Sequence, residues 1–183
     1  VAPHSFWHFC KYIAPDFYKE DRKHLKDLCN LLQAFYEGKT GYKKLAISMP
    51  PRMGKTRTLI LFAVWIFGLN PAEKVMSINY NESLSTLFSK QVRDHIQTPG
   101  SETLPVASDI FPNLKIKQGN AAAQLWALEG QHLSYLGGSP TGTLTGIGAS
   151  ISIIDDLVKN AYEALNDTIL ESHYDFHVNT LKQ

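Results

Sequence analysis

Apolar positions along this chain fall into alternating helical and strand periods. Leu25, Leu28, Cys29, Leu32 and Phe35 recur three or four residues apart, and Gly38 follows them, which predicts an amphipathic helix over 21–37 with a glycine C-cap. The run KLAISM predicts a strand over 44–49. A helix over 54–69 comes next, closed by Asn70-Pro71 because the residue before proline is driven out of the helical region. KVMSINY predicts a second strand over 74–80, and 82–97 a helix with Ser83, Leu84, Leu87, Phe88 and Val92 along one side. Proline and glycine break the pattern over 98–112. Short strands are predicted around 115–117, 124–128 and 132–136, then the Gly/Thr-rich segment GGSPTGTLTGIG, a buried strand over 151–154 and a last helix over 163–181. Strands that alternate with helices and read as unbroken apolar runs imply an α/β fold with a mostly parallel sheet flanked by helices. Ligands in such sheets sit at the carboxyl ends of the strands, here after Met49, Tyr80 and Ile154.

At 183 residues, 44% of them hydrophobic and 19% charged, the chain is long and apolar enough for one globular, soluble domain spanning 1–183. Its longest apolar run, Leu59 to Leu69, is too short to cross a bilayer, which takes about 18 residues or more, so no membrane partner is expected. Neither end carries a recognisable start or stop pattern, and the expectation is an N-terminal piece of something longer. Cys10 and Cys29 sit among apolar and aromatic residues as small core hydrophobes would, which fits a reducing compartment. The formal net charge of +1 hides an asymmetry. Lys39, Lys43, Lys44, Arg52, Lys55 and Arg57 lie in a stretch without acids, whereas Asp155, Asp156, Glu163, Asp167, Glu171 and Asp175 face only Lys159. A basic and an acidic segment of this kind suit a polyphosphate and its metal ion.

Two motifs carry the candidate chemistry. Met49-Pro50-Pro51-Arg52-Met53-Gly54-Lys55-Thr56 ends in GKT at the mouth of a helix, as a phosphate-binding loop does. Loop amides and the helix N-terminus point at phosphate oxygens, the lysine neutralises the outer phosphates, and the hydroxyl ligates Mg²⁺. Met49 stands where the pattern has its first glycine. The second motif is Ser152-Ile153-Ile154-Asp155-Asp156, an apolar strand ending in two carboxylates. One acid at such a strand end holds Mg²⁺ through its water shell, the role expected of Asp155, and its neighbour can take a proton from attacking water, the role expected of Asp156.

PPRMGKT, SYLGGSPTGTLTGIGASISIIDDLVKN and the upstream HLKDLCNLLQAFYEGK together resemble the ATPase domain of large terminase subunits, the motors that package DNA into tailed-phage heads. The resemblance implies a P-loop NTPase of the additional-strand (RecA-like) class, using ATP and Mg²⁺. Pro51, Arg52, Met53, Gly54, Lys55, Thr56 and Arg57 would form its nucleotide-binding loop. Lys55 and Thr56 would contact phosphate and Mg²⁺, and Arg52 would sense or stabilise the γ-phosphate. Asp155 would be the Walker B acid and Asp156 the catalytic carboxylate, a place where many relatives carry glutamate. An adenine-recognition element is expected upstream; with Gln33 late in its helix, His24 is the residue placed nearest the base. The implied partners are double-stranded DNA, contacted through its phosphates, a portal protein, a small terminase subunit and further copies in a ring, all in the cytoplasm of a bacterial host. The coupling strand and the nuclease domain of the family would lie beyond Gln183. Two other readings stand beside it: a helicase- or recombinase-like ATPase, and a nucleotide-binding assembly domain without turnover.

Overall fold

The computed structural model describes residues 2–100, 103–140 and 147–178. Its contacts gather into two units, Val1–Asn70 with His95–Leu114, and Pro71–Asp94 with Lys115–Gln183.

The first unit is helical. A short 3-10 turn, Ala2–His4, leads into α1 (Phe6–Ile13), which is followed by α2 (Lys23–Tyr36) and α3 (Lys55–Leu69). Every residue of α3 from Thr58 to Phe67 is buried. A helix apolar on all sides has to be covered on all sides, and α1 and α2 supply part of that cover. The Phe6 ring lies 5.2 Å from Phe62 and 5.3 Å from Trp65, and Tyr36 lies 5.9 Å from Trp65. Trp65 Nε1 donates to the Pro3 carbonyl at 3.1 Å, which satisfies the polar edge of a fully buried indole. The N-terminal aromatic run therefore forms α1, capped by Ser5, whose hydroxyl accepts from the His8 amide. Gln33 clamps that segment: its Oε1 accepts from the Phe6 amide at 3.0 Å and its Nε2 donates to the His4 carbonyl at 3.0 Å.

Between α1 and α2, Glu20 accepts from Lys11 at 2.8 Å and from Lys26 at 3.0 Å. These two ammonium groups, Lys11 first, hold its carboxyl down at about 2. A carboxyl lowered by folding contributes stability that is fully present above its unfolded value and is lost as pH falls through the folded one. Acid is thus expected to release this tie only between about pH 4.5 and 2. The Glu20 carboxyl chemical shift, followed by NMR, checks the window; a midpoint at the ordinary glutamate value would show that the triad does not form in solution.

The second unit holds a five-stranded sheet of order β2-β3-β4-β1-β5, with β1 Val75–Ile78, β2 Ile116–Ala121, β3 Leu125–Leu128, β4 Tyr135–Gly138 and β5 Ile151–Ile154. The pairings of β1 with β4 and with β5 are parallel, whereas β2 with β3 and β3 with β4 are antiparallel. The fold is mixed α/β, an open sheet flanked by helices, and only its β4-β1-β5 side has the parallel arrangement read from the sequence. Short connections explain the rest, since β2, β3 and β4 follow one another too closely for the long crossovers that parallel neighbours require.

Trp126 and Tyr135 lie directly opposite each other on β3 and β4, their rings stacked 4.8 Å apart and 1° from parallel. Helix α4 (Glu82–Gln97) packs on this layer through small residues. Ser89 Oγ accepts from Trp126 Nε1 at 2.9 Å, and a Cβ on Gly137 would lie 2.6 Å from Ser85 Oγ. Along α4 the buried positions are Ser85, Phe88, Ser89, Val92 and Ile96, so the inward side is rotated from the predicted one and Leu87 is half exposed.

Three further predictions change. Residues 44–49 belong to no strand: Leu45, Ile47 and Met49 are half-buried and Lys44, Ala46 and Ser48 exposed, the period of a strand without pairing. The helix predicted over 163–181 is two helices, α6 (Ala161–Ala164) and α7 (Asp167–Phe176), because Asn166 caps the second by accepting from the Ile169 amide; 179–183 lie outside the described residues. The break over 98–112 contains the short helix α5 (Ala107–Ile110). Among the described residues no helix is long and apolar enough to cross a membrane.

Candidate functional site

The candidate residues fall into one group in each unit. In the first, residues 51–54 turn into α3, whose first residue is Lys55. Gly54 is the N-cap and is left-handed, with φ 91° and ψ 9°. A side chain is excluded there twice. The conformation disfavours any Cβ, and a Cβ built on Gly54 would meet Phe17 Cζ at 2.8 Å and Leu25 Cδ2 at 3.1 Å. Two positions earlier, Arg52 is also left-handed, with φ 64°. Pro51, Arg52, Met53, Thr56 and Arg57 are exposed and Lys55 is half-buried. The loop thus presents its polar groups outward while its glycine is packed tightly from behind.

That packing comes from the turn before α2, which sequence reasoning passed over. Phe17 fills the space behind Gly54, and its ring carries two guanidinium groups, Arg22 at 4.7 Å and Arg57 at 4.6 Å from the centroid. The next residue, Tyr18, is fully buried, and its hydroxyl lies 3.0 Å from Thr58 Oγ1, which donates to the Gly54 carbonyl at 2.9 Å. His24 is half-buried in the first turn of α2, beside the Leu25 that meets Gly54. Gln33 spends its amide on the N-terminal segment described above and on Glu37, to whose Oε1 its Nε2 donates at 2.7 Å.

In the second unit the parallel register of β1 and β5 sets Ile78 opposite Ile154, so both strands end side by side. The Asp155 amide donates to the Ile78 carbonyl at 2.9 Å, and the Tyr80 amide donates to the Asp156 carbonyl at 3.0 Å. Asn79, buried, donates through Nδ2 to the Asp155 carbonyl at 3.0 Å and through its backbone amide to the Gly138 carbonyl at 3.2 Å. It ties the ends of β1, β4 and β5 together. The strand predicted over 74–80 had Asn79 inside it; β1 ends at Ile78, which leaves Asn79 at the strand end, where α/β sheets concentrate chemistry. Asp155 is buried, at 4% exposure, while Asp156 is exposed and left-handed, with φ 53°. The adjacent carboxylates thus occupy opposite environments. Half of the Gly/Thr-rich approach, 141–146, lies outside the described residues.

The donor set suits a magnesium nucleotide. Lys55 and Thr56 open α3 directly after Gly54, so the loop runs into a helix N-terminus, which favours a phosphate, while Phe17 occupies the place of a Gly54 side chain. Among the described residues no three His, Cys, Asp or Glu side chains gather into a metal cluster. Magnesium needs none, because it is held by one or two protein oxygens and takes the rest from phosphate and water. Compared with family models and with curated protein sequences, the chain matches none of them, so the functional reading rests on its own residues.

Proposed function

We propose that this chain is the ATPase motor domain of a tailed-phage or prophage large terminase, a P-loop NTPase of the additional-strand class that couples Mg·ATP hydrolysis to packaging of double-stranded DNA. One observation carries the reading. Among the described residues the non-glycine positions with positive φ are Arg52 and Asp156, one inside each of the two motifs recognised from sequence. Such backbone collects at ligand clamps and catalytic sites; it costs about 1–3 kcal/mol at a residue such as Arg52 and less at an aspartate, which enters the left-handed region more readily.

In this reading the amides of 52–56 and the Lys55 ammonium bind the phosphates, Pro51 shapes the turn, and Arg52 and Arg57 add charge at the loop's edges. In the first unit the Thr56 hydroxyl would ligate Mg²⁺ and in the second Asp155 would offer the carboxylate that acts through water; the ion would withdraw charge from the phosphate oxygens. Asp156, exposed beside the buried Asp155, accepts the proton of the attacking water. DNA contacts are to phosphates, salt-sensitive and indifferent to sequence. The working form is a homo-oligomeric ring with a portal protein and a small terminase subunit, in the host cytoplasm. Because phosphoryl transfer without an arginine supplied in trans is slower by about 10³–10⁵-fold, the isolated chain turns over slowly.

Titration calorimetry with Mg·ATP tests the nucleotide site. Lys55→Ala, half-buried and at the start of α3, is expected to abolish measurable binding without unfolding the chain. Equal affinity in the variant and the parent would overturn the P-loop assignment. Met49 in place of the loop's first glycine favours one other reading, a nucleotide-binding assembly domain without turnover. Binding abolished by Lys55→Ala together with no hydrolysis in the assembled ring would select it.

A further inference from the structure

The turn before α2 grips the glycine of the phosphate-binding loop from two sides. Phe17 and Tyr18 both donate their amides to the Ala14 carbonyl, each at 3.0 Å, which sets their side chains on a compact turn. Phe17 lies against the α-carbon of Gly54, as the 2.8 Å approach of a built Cβ records. Tyr18 reaches the other part of the same residue through Thr58.

The direction of these hydrogen bonds can be assigned. Thr58 Oγ1 has one proton, and the acceptor 2.9 Å away is the Gly54 carbonyl, which has none to give. Tyr18 must therefore donate to Thr58, and the chain runs from Tyr18 Oη to Thr58 Oγ1 to Gly54 O. The Thr58 amide donates to that same carbonyl at 3.0 Å, so both of its lone pairs are used. Burial pushes the Tyr18 hydroxyl well above its ordinary value, so it stays a donor at every working pH.

The consequence follows from peptide planarity. Gly54 C=O and Lys55 N–H belong to one rigid trans unit and point in opposite directions. A carbonyl fixed inward along α3 therefore fixes the Lys55 amide outward, toward the loop. We infer that Tyr18 is a positioning residue for phosphate binding: through Thr58 it locks the Gly54–Lys55 peptide in the orientation that presents the Lys55 amide to a phosphate oxygen. A buried tyrosine in a core of aromatic rings would ordinarily be taken as packing alone. Its hydroxyl, aimed at the one threonine that bonds the loop carbonyl, gives it a second task.

The inference rests on the P-loop reading, and the experiment separates the two. Affinity for Mg·ATP is measured by calorimetry, and thermal stability in parallel, for Tyr18→Phe, Thr58→Ser, Thr58→Val and Lys55→Ala. Tyr18→Phe removes one oxygen and keeps the ring; it should weaken Mg·ATP binding about two- to tenfold, the range of one net hydrogen bond. Thr58→Val should lose at least as much, the double variant no more than Thr58→Val, and Thr58→Ser, which keeps the hydroxyl, should bind as the parent does. If Tyr18→Phe lowers only the melting temperature and leaves affinity unchanged while Lys55→Ala abolishes binding, the positioning role is wrong and the P-loop stands. If Lys55→Ala binds normally, the P-loop reading itself fails. Should Thr58→Val not fold, the comparison of Tyr18→Phe with Thr58→Ser still decides.

Discussion

Gly54→Ala is expected to lower stability by about 2–5 kcal/mol and to remove nucleotide binding. Two costs add. An alanine held in the left-handed region loses about 1–2 kcal/mol, and Gly54 sits there with φ 91°. Overpacking adds about 1–3 kcal/mol, because the new methyl would lie 2.8 and 2.9 Å from two atoms of the Phe17 ring. That ring has little room to retreat, since Arg22 and Arg57 flank it and Tyr18 stacks edge-on at 5.1 Å. Against a total of about 5–15 kcal/mol, such a loss is large. The urea midpoint of the variant measures it; an unchanged midpoint would show that the loop relaxes freely and that Phe17 is no brace.

Asp156→Asn is expected to leave fold and Mg·ATP affinity intact and to lower turnover by about 10²–10⁴-fold, the range of a lost general base. Asparagine is the right replacement because, like aspartate, it tolerates the left-handed region, and Asp156 has φ 53°. The hydrogen bond from Tyr80 goes to the backbone carbonyl of Asp156 and survives the change. Asp156→Gly separates strain from chemistry: it should be at least as stable as the parent, yet equally inactive. Hydrolysis per subunit is measured in the assembled ring on DNA. Undiminished turnover in Asp156→Asn would remove this residue as the base, and restored turnover in Asp156→Gly would show that backbone shape alone matters there.

Much of the candidate site was legible because its signals are local. A glycine before Lys-Thr at a helix start is written in consecutive residues, and so are two acids at the end of an apolar strand. Helix α4 and strand β5 have their predicted bounds for the same reason, since period and punctuation agree within each segment, but β5, predicted buried, lies at the sheet edge with only Ile153 buried. The orientation of α4 was not legible. Its inward side is defined by Ser85 and Ser89, polar residues buried because Gly137 and Trp126 lie against them, and hydrophobicity alone turns the helix toward Leu87.

Residues 44–49 state the division most plainly. They were predicted as a strand and are none, although half-buried and exposed positions alternate along them as in one. Whether such a segment becomes a strand depends on a partner's amides and carbonyls, which no local pattern contains. The same holds behind the loop. Sequence by itself determined that Gly54, Lys55 and Thr56 open a buried helix and that Asp155 and Asp156 close an apolar strand. Only the tertiary structure decided that Phe17 fills the glycine's missing side chain, that Tyr18 reaches its carbonyl through Thr58, and that Asn79 joins three strand ends. Those contacts join residues far apart in the chain, and their free energy comes from close packing and satisfied buried hydrogen bonds, which exist only once the segments have met.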